Sequence, residues 1–349
     1  MKAIVNTGPD RLEFLDLPLP QPGPGQVRIR TGACGICATD VLMIAGWERT
    51  SYPSIPGHEW SGEVEALGQE VERSLLGRRC VAENVLADGG EVGFEHPGGY
   101  GQYFLTEAAK VQLLPDEFPL AKAALIEPLA VCVRALKRLR LGSPAGLDRP
   151  AAEVPRSALI LGDGPIGLVL VMLLRRIGIG SICLVGGRQG RLALAGELGA
   201  ERVLNYHHIQ GNPAPGKITP GSLSQVILRE AGQPFPIVIE ASGSQAAISA
   251  SLELVQTGGR IGVLGDYSEA CAGFRWNQLL HREIELVGSN ASAGAWEEAV
   301  RLAVEQNLPL ERLITQRFPA GRFMEGMQLT RSRADDVIKV ILEWDLGLK

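Results

Sequence analysis

The second half of the chain alternates short apolar runs with longer stretches of helical periodicity. The runs SALILG, SICLVG, RVLNY, PIVIEASG and GRIGVLG have the length and composition of buried strands. Between them, PIGLVLVMLLRRIG, RLALAGELG and SQAAISASLELVQTG place apolar residues at the spacing of one helix face. Alternating strands and helices of these lengths predict an α/β fold with a doubly wound parallel sheet.

The first 120 residues follow a different pattern. The segments QVRIRTGACGIC, GEVEALG and GRRCVAENVL are short and separated by turn residues, which predicts an irregular β-rich unit. Residues 121–141 return to helical spacing. The stretch 142–156 is rich in Pro, Ala and Gly and is the best linker candidate. The tail, residues 290–349, contains two amphipathic stretches and the strand-like DVIKVILEW.

Composition and charge narrow the class of protein. A chain of 349 residues is too long for one ordinary core, so two domains are expected. A formal net charge of −5 gives no basic surface for nucleic acid. The N-terminal stretch MKAIVNTGPDRLEFLDLPLP has no long apolar run, so we expect no signal peptide, no membrane partner and a cytoplasmic location. The six cysteines are expected to be free thiols or metal ligands.

A glycine-rich motif stands between the first predicted strand and helix of the parallel sheet. LILGDGPIG supplies Gly162, Gly164 and Gly167, with Pro165 and Ile166 at the start of the helix. The first glycine permits a tight turn, the second lets a pyrophosphate approach the backbone, and the third lets helix and strand pack closely. Unpaired N–H groups at the helix start attract phosphate. This context predicts a dinucleotide site of the Rossmann type.

The end of the next predicted strand indicates which dinucleotide binds. An acid there would hold the ribose 2′-hydroxyl of NAD, but the chain has Gly186, Gly187 and Arg188. A guanidinium is suited to a phosphate, and Arg191 lies within reach of the same corner. The pattern favours NADP(H) over NAD(H); the alternative is that Arg188 is an ordinary solvated loop residue.

A second set of residues has the chemistry of a metal site. Cys37 and His58 lie 21 residues apart, Glu59 follows directly, and Glu127 stands in LIEPLAV. Thiolate, imidazole and carboxylate are good zinc ligands, and a catalytic zinc keeps one open position. Each residue also has an ordinary role, such as a buried thiol or an acid at a helix start. The pair formed by Cys34 and Cys37 lacks the context of a redox motif. The residues alone leave both interpretations open.

Five motifs together resemble the medium-chain dehydrogenase/reductase family, and within it the zinc-dependent alcohol and polyol dehydrogenases of the sorbitol type. They occur in the family's order and span most of the chain: GICATD (35–40), PGHEWSGEV (56–64), GGYGQYF (98–104), EPLAV (127–131) and GDGPIGL (162–168). The resemblance implies a GroES-like catalytic domain formed by residues 1–153 and 290–349, around a Rossmann domain at 154–289. It also implies a homodimer or homotetramer.

The resemblance implies hydride transfer between NADP(H) and a secondary alcohol, polyol or sugar and its carbonyl product. One catalytic zinc would bind Cys37 and His58, with Glu59 or Glu127 completing the shell. Thr39 would accept or relay the hydroxyl proton, so the expected catalytic residues are Cys37, Thr39, His58 and Glu59. The segments VGGRQ and LNY resemble the NADP-dependent secondary-alcohol branch through Gly186, Arg188 and Tyr206, whereas Gly187 departs from its serine.

Two further departures from the family affect metal and proton chemistry. Many relatives hold a structural zinc with four closely spaced cysteines, but residues 78–104 contain only Cys80, so no structural zinc is expected. Relatives often place a relay histidine five residues after the ligand cysteine, and this chain has Leu42 there. The proton route stays open between Thr39 with the cofactor ribose and Glu59 with water.

Two other functions remain open from sequence. One is a zinc-free quinone or enoyl reductase of the same superfamily, which would not need the cysteine, histidine and glutamate motifs. The other is a non-catalytic NADP-binding sensor or structural protein. Zinc content tests the first, and turnover across alcohols and ketones tests the second.

Overall fold

The structure is a computed structural model. It describes residues 1–146, 154–208, 220–265, 271, 276–332, 334 and 337–344. Residues 147–153 of the linker candidate, which include the predicted domain boundary, lie outside the described residues. No helix within this described part is both long and apolar enough to cross a membrane.

The strands and helices are numbered in chain order. The strands are β1 (Lys2–Gly8), β2 (Arg11–Asp16), β3 (Gln26–Ile36), β4 (Glu59–Leu67), β5 (Arg79–Ala82), β6 (Tyr103–Glu107), β7 (Val111–Leu113), β8 (Ser157–Leu161), β9 (Ser181–Gly186), β10 (Arg202–Asn205), β11 (Phe235–Glu240), β12 (Val255–Val263), β13 (Glu285–Gly288), β14 (Ile314–Pro319) and β15 (Lys339–Glu343). The helices are α1 (Ala38–Ala45), α2 (Leu120–Ala123), α3 (Ile126–Arg138), α4 (Pro165–Arg176), α5 (Gln189–Glu197), α6 (Pro220–Ala231), α7 (Gln245–Leu254), α8 (Trp276–Arg282), α9 (Trp296–Val304) and α10 (Phe323–Ser332).

The chain divides into two compact units. The first comprises Met1–Ala130 and Ser292–Lys349, and the second comprises Val131–Ala291. The domain limits expected at 153/154 and 289/290 stay predictions, because compactness alone does not define a folding unit.

The first unit is built on a seven-stranded sheet in the order β14-β15-β3-β4-β5-β7, with β6 also paired to β3, beside the hairpin β1-β2. In the antiparallel register, Gly35 of β3 lies opposite Glu59 of β4 and opposite Ile341 of β15. The end of β3 and the starts of β4 and β15 therefore meet at one edge of the sheet. That edge collects side chains that are far apart in sequence.

The second unit contains one six-stranded parallel sheet in the order β10-β9-β8-β11-β12-β13. Counted from β8, this order is that of a dinucleotide-binding sheet. Its central strand β8 is the run SALIL, whose five residues are all buried, as expected for a strand covered on both faces. The predicted fold class, a β-rich unit with a doubly wound parallel sheet, is confirmed.

Two predicted helices have different limits in the structure. The helical stretch 121–141 is two helices, since α2 ends at Ala123 and α3 begins at Ile126. The stretch ending in LVQTG leaves its helix at Leu254, because Val255 already belongs to β12 and pairs with Phe235 of β11. At Val255, strand pairing outweighs local periodicity.

Candidate active site

Cys37 occupies the junction between β3 and α1. Its extended backbone (φ −97°, ψ 157°) places it at the N-cap of the helix, and its N–H donates to Asp40 Oδ2 at 2.8 Å. The carboxylate of Asp40 satisfies a backbone donor that the first helical turn leaves unpaired. The half-buried Cys37 Sγ lies 3.6 Å from Thr39 Oγ1. The thiol and the predicted relay hydroxyl are therefore neighbours.

The second and third predicted ligands begin β4. Cys37 Sγ, a ring nitrogen of His58 and a carboxylate oxygen of Glu59 all lie within 4.8 Å of one another. Zinc binds these three atom types at about 2.0–2.3 Å, so small side-chain rotations would bring all three to a shared ion. The donor chemistry and the spacing both fit zinc.

Asp40 contacts two of the predicted ligands, Cys37 and His58. The buried carboxylate accepts from Cys37 N–H and from the Tyr100 hydroxyl at 3.2 Å, and its Oδ1 lies 3.3 Å from His58 Nδ1. Burial lowers the pKa of His58, but Asp40 and Cys37 together outweigh it and raise that pKa well above its ordinary value. A carboxylate behind a ligating histidine fixes the ring and its tautomer. Asp40 thus holds two predicted ligands in place.

Glu59 is also half of a buried ion pair. Lys339, the first residue of β15, places Nζ 2.6 Å and 2.7 Å from the two carboxylate oxygens of Glu59. The lysine side chain is 3% exposed and the glutamate side chain 2%. Burial lowers the pKa of Lys339, but Glu59 raises it above the ordinary value, so the lysine is charged at neutral pH. Sequence reasoning missed Lys339; its one local signal is a lysine within the apolar run VIKVIL.

Glu127 lies in the first turn of α3 and is buried. Burial raises the pKa of Glu127 to about 7, while His58 lowers it and Glu59 raises it. It is not part of the group that lies within 4.8 Å. The structure therefore places Glu127 in the electrostatic surroundings of the cluster, and Glu59 in the cluster itself.

An aromatic residue covers His58 on another side. The rings of His58 and Phe94 have centroids 4.8 Å apart, and the Arg49 guanidinium lies over the Phe94 ring at 4.7 Å. Arg49 forms ion pairs with Glu91 at 3.1 Å and Glu95 at 2.9 Å. Ion pairs and ring contacts thus hold the segment in which the missing cysteines of a structural zinc would lie.

Two residues near the motifs have packing roles. Cys80 is buried in β5, where burial raises the pKa of its thiol. Trp60, at 2% exposure, packs edge-on against Phe104 at 4.7 Å and donates its Nε1–H to Asn84 Oδ1 at 2.9 Å. Trp60 therefore belongs to the core.

The glycine-rich turn of the second unit connects β8 to α4. Gly162 has φ +129°, a conformation that side chains other than glycine rarely adopt. A Cβ at Gly167 would overlap the Gly162 carbonyl oxygen, whereas a Cβ at Gly164 would meet no atom within 4 Å. Helix α4 begins at Pro165, followed by Ile166. An open backbone approach at a helix N-terminus fits a pyrophosphate.

The ends of β9 and β10 form the corner at which the ribose specificity was predicted. Gly186 is the last residue of β9, and a Cβ there would overlap the Asp163 side chain. A Cβ at Gly187 would overlap the Tyr206 hydroxyl, so a side chain at this position would require the tyrosine to shift. Arg188 places Nη1 2.9 Å from Asp163 Oδ1. Arg188 is therefore part of an ion pair and is not simply a solvated loop residue.

Two family models match the chain. The alcohol dehydrogenase GroES-like domain matches residues 23–116, which contain the metal cluster. The zinc-binding dehydrogenase model matches residues 165–305, and the two together cover well over half of the chain. The chain belongs to the medium-chain zinc-binding dehydrogenases. The predicted resemblance, and with it the prediction of an enzyme of the dehydrogenase type, is confirmed.

Individual dehydrogenases align over almost the whole chain. D-arabitol-phosphate dehydrogenase of Enterococcus avium is 26% identical over 366 residues, covering 98% of this chain and 97% of that protein. A short chain alcohol dehydrogenase from Escherichia coli CFT073, complexed with NADH, has a TM-score of 0.85 at 22% identity, covering 98% of this chain and 99% of that one. A putative zinc-binding dehydrogenase from Sinorhizobium meliloti 1021 bound to NADP has a TM-score of 0.82 at 22% identity, covering 98% of each chain. At these identities the two structures support the fold.

The predicted site residues fall into two groups, one in each unit. Cys37, Thr39, His58 and Glu59 lie together in the first unit. In the second unit the predicted nucleotide residues lie at the β8–α4 turn, at the ends of β9 and β10, and in α5: Gly162, Gly164, Pro165, Ile166, Gly167, Gly186, Arg188, Arg191 and Tyr206. Their roles stay predictions, as does the expected absence of a structural zinc.

Proposed function

We propose that this zinc-binding dehydrogenase transfers a hydride between NADP(H) and a secondary alcohol, polyol or sugar and its carbonyl product. The observation that carries the proposal is the cluster of Cys37, His58 and Glu59 in a chain whose parallel sheet has a dinucleotide turn. A zinc-free reductase would not need these three donors side by side. The D-arabitol-phosphate dehydrogenase among the relatives supports a polyol-like substrate.

The protein's own residues prepare the reacting groups. Zinc held by Cys37, His58 and Glu59 would supply Lewis-acid polarisation of the substrate oxygen. Asp40 orients His58 and caps the helix that begins after Cys37. Thr39 stands beside the thiol with a hydroxyl that can accept the substrate proton and pass it on. Leu42 at the family's relay position leaves this role to Thr39 or to Glu59 with water.

We propose Glu59, rather than Glu127, as the glutamate that binds the metal directly. Glu59 offers an oxygen within 4.8 Å of both other donors. A carboxylate has about four lone-pair sites, so Glu59 can face the metal while it keeps its bonds to Lys339. Glu127 then contributes a buried acid to the surrounding field.

A panel assay tests the proposed reaction. The purified protein, saturated with zinc, is expected to reduce NADP when a secondary alcohol or an open-chain polyol is the substrate. Its turnover with these substrates should be faster than its turnover with primary alcohols. The absorbance of the reduced nicotinamide measures hydride transfer directly. Tight binding of NADPH without turnover on any alcohol or ketone would instead favour a non-catalytic NADP-binding protein.

We also propose that NADP(H) is preferred over NAD(H). No acid stands at the end of β9, and Arg188 lies at that corner with Tyr206 on the other side of Gly187. Structures of this fold occur with either cofactor, one bound to NADP and another complexed with NADH, so the proposal rests on the residues of this corner. The predicted homodimer or homotetramer stays a prediction.

Replacing Arg188 with aspartate is expected to shift the selectivity toward NAD(H). The change removes a positive charge and adds a negative one where the 2′-phosphate would lie, so the NADP/NAD ratio of kcat/KM should fall by about a hundredfold or more. Steady-state kinetics with both cofactors measure this ratio. Arg202→Asp, an exposed arginine of the same unit at the other end of β10, is the matched control and should leave it unchanged. A ratio unaltered by Arg188→Asp would show that Arg188 does not bind the phosphate.

A further inference from the structure

The corner proposed for the 2′-phosphate already holds an anion that belongs to the protein. Oδ2 of Asp163 accepts hydrogen bonds from the backbone N–H groups of Gly187 and Arg188, each at 2.8 Å. Oδ1 accepts one from Arg188 Nη1 at 2.9 Å. Asp163 is 5% exposed. A buried carboxylate therefore receives three donors of the segment that follows β9.

The position of Asp163 is coupled to the glycine at the end of β9. Asp163 comes from the turn after β8, and its side chain fills the space in which a Cβ of Gly186 would lie. In the usual arrangement the acid is attached to the end of the second strand and faces the ribose. Here the neighbouring strand supplies the acid, and Gly186 makes room for it. The corner thus has an acid although the end of β9 has none.

We propose that Asp163 is a specificity-determining residue for the nicotinamide cofactor, because its carboxylate competes with the 2′-phosphate for Arg188 and so limits the preference for NADP(H). The proposal rests on one part of the proposed function, which is that a dinucleotide binds at this corner. It concerns the direction in which selectivity moves when Asp163 changes. It does not depend on which cofactor the unaltered protein prefers.

Charge accounts for the competition. A carboxylate at hydrogen-bond distance offsets the positive charge of Arg188, and it repels a phosphate dianion placed at the same guanidinium. NAD(H) has a neutral hydroxyl in place of that phosphate, so the Asp163 charge affects it much less. Removing the charge while keeping the shape should therefore strengthen the binding of NADPH selectively.

The test measures dissociation constants of NADPH and NADH by isothermal titration calorimetry, without substrate. Asp163→Asn retains an amide oxygen that can accept from the two backbone N–H groups, so the segment stays anchored. NADPH is expected to bind about tenfold more tightly relative to NADH than in the unaltered protein, which corresponds to one decade in Kd. In the background of Arg188→Gln, the same change is expected to give a clearly smaller gain, because the competition for the arginine is absent and only the direct repulsion between carboxylate and phosphate is removed.

A buried acid of the same unit provides a matched control. Glu240 accepts from the backbone N–H groups of Ser242 and Gly243, each at 2.8 Å. It makes no ion pair with an arginine among the interactions described for it. Glu240→Gln is expected to leave the NADPH/NADH ratio of Kd unchanged. If Asp163→Asn does not fold, Asp163→Ser replaces it as the test variant, because the serine hydroxyl can also accept a hydrogen bond from the backbone.

Three other outcomes for the Asp163 variants would overturn the proposal. An unchanged ratio would show that the Asp163 charge is not sensed by the phosphate. A loss of NADPH affinity greater than that of NADH would show that Asp163 presents Arg188 to the phosphate instead of competing for it. Loss of both nucleotides in both folded variants would make Asp163 only an anchor of the segment. Preference of the unaltered protein for NADH would contradict the proposed NADP(H) preference alone, since the shift caused by Asp163→Asn is judged separately.

Discussion

Cys37→Ala is expected to release zinc and to lower NADP-dependent turnover by about a thousandfold or more, since Lewis-acid stabilisation is worth several kcal/mol and each 1.36 kcal/mol is tenfold. The variant loses the thiolate, one of the two anionic donors of the cluster within 4.8 Å. Nucleotide binding should persist, because the glycine-rich turn lies in the other unit. Zinc content, kcat and the Kd of NADPH are measured on the same preparation.

Cys34→Ala is the matched control for this variant. Cys34 precedes Cys37 by three residues and is fully buried in β3, where its Sγ lies 3.6 Å from the Gly35 carbonyl oxygen. Removing it should cost stability through a small cavity but leave the zinc content unchanged. Zinc and turnover retained in Cys37→Ala would place the metal site elsewhere.

Lys339→Met is expected to destabilise the metal-free first unit by about 3–5 kcal/mol, because it leaves a buried carboxylate without its partner. Glu59 and Lys339 are both almost completely buried, and their shortest contact is 2.6 Å. Urea unfolding followed by tryptophan fluorescence measures the loss. Four of the five tryptophans, Trp47, Trp60, Trp296 and Trp344, belong to that unit, so the signal reports mainly on it.

Two controls separate the ion pair from general effects of the substitution. Glu59→Gln combined with Lys339→Met removes both charges and should recover most of the lost stability. Lys2→Met breaks the exposed pair with Asp16 and should leave the stability almost unchanged. If Lys339→Met were as stable as the unaltered protein, Glu59 would not depend on the lysine.

The same variant tests the proposed role of Glu59. If Glu59 binds zinc, the ion takes over the neutralisation of its carboxylate, and zinc should stabilise Lys339→Met more than it stabilises the unaltered protein. Equal stabilisation of both by zinc would favour Glu127 as the direct ligand instead.

The features that could be predicted from sequence are those determined by residues close together along the chain. The strands and helices of the parallel sheet follow from apolar runs and helical spacing, because buried strands and packed helices must be apolar. The donors Cys37, His58 and Glu59 lie in two short motifs. Their residue types left a zinc site as one of two open interpretations, and the resemblance to the dehydrogenase family favoured it. The turn at Gly162 required glycine, and the backbone φ of +129° shows why.

The features that were missed depend on contacts between distant segments. Lys339 meets Glu59 across 280 residues, and only the antiparallel register of β15, β3 and β4 brings them together. Asp163 occupies a motif position at which any residue is allowed. Its contact with Gly186 is found only in the structure, where its side chain lies in the space that a Cβ of Gly186 would occupy. Likewise, Val255 joins β12 because a partner strand is available to it. Neither periodicity nor residue type contains this information.

The central claim is that Cys37, His58 and Glu59 hold a catalytic zinc, and zinc per chain by elemental analysis tests it most directly. The protein is purified without chelator and without excess metal, and activity is recorded on the same sample. The account predicts about one zinc per chain, removed by chelation together with the dehydrogenase activity and restored with it. No zinc, even after the metal is offered back, would contradict the account and favour a zinc-free reductase.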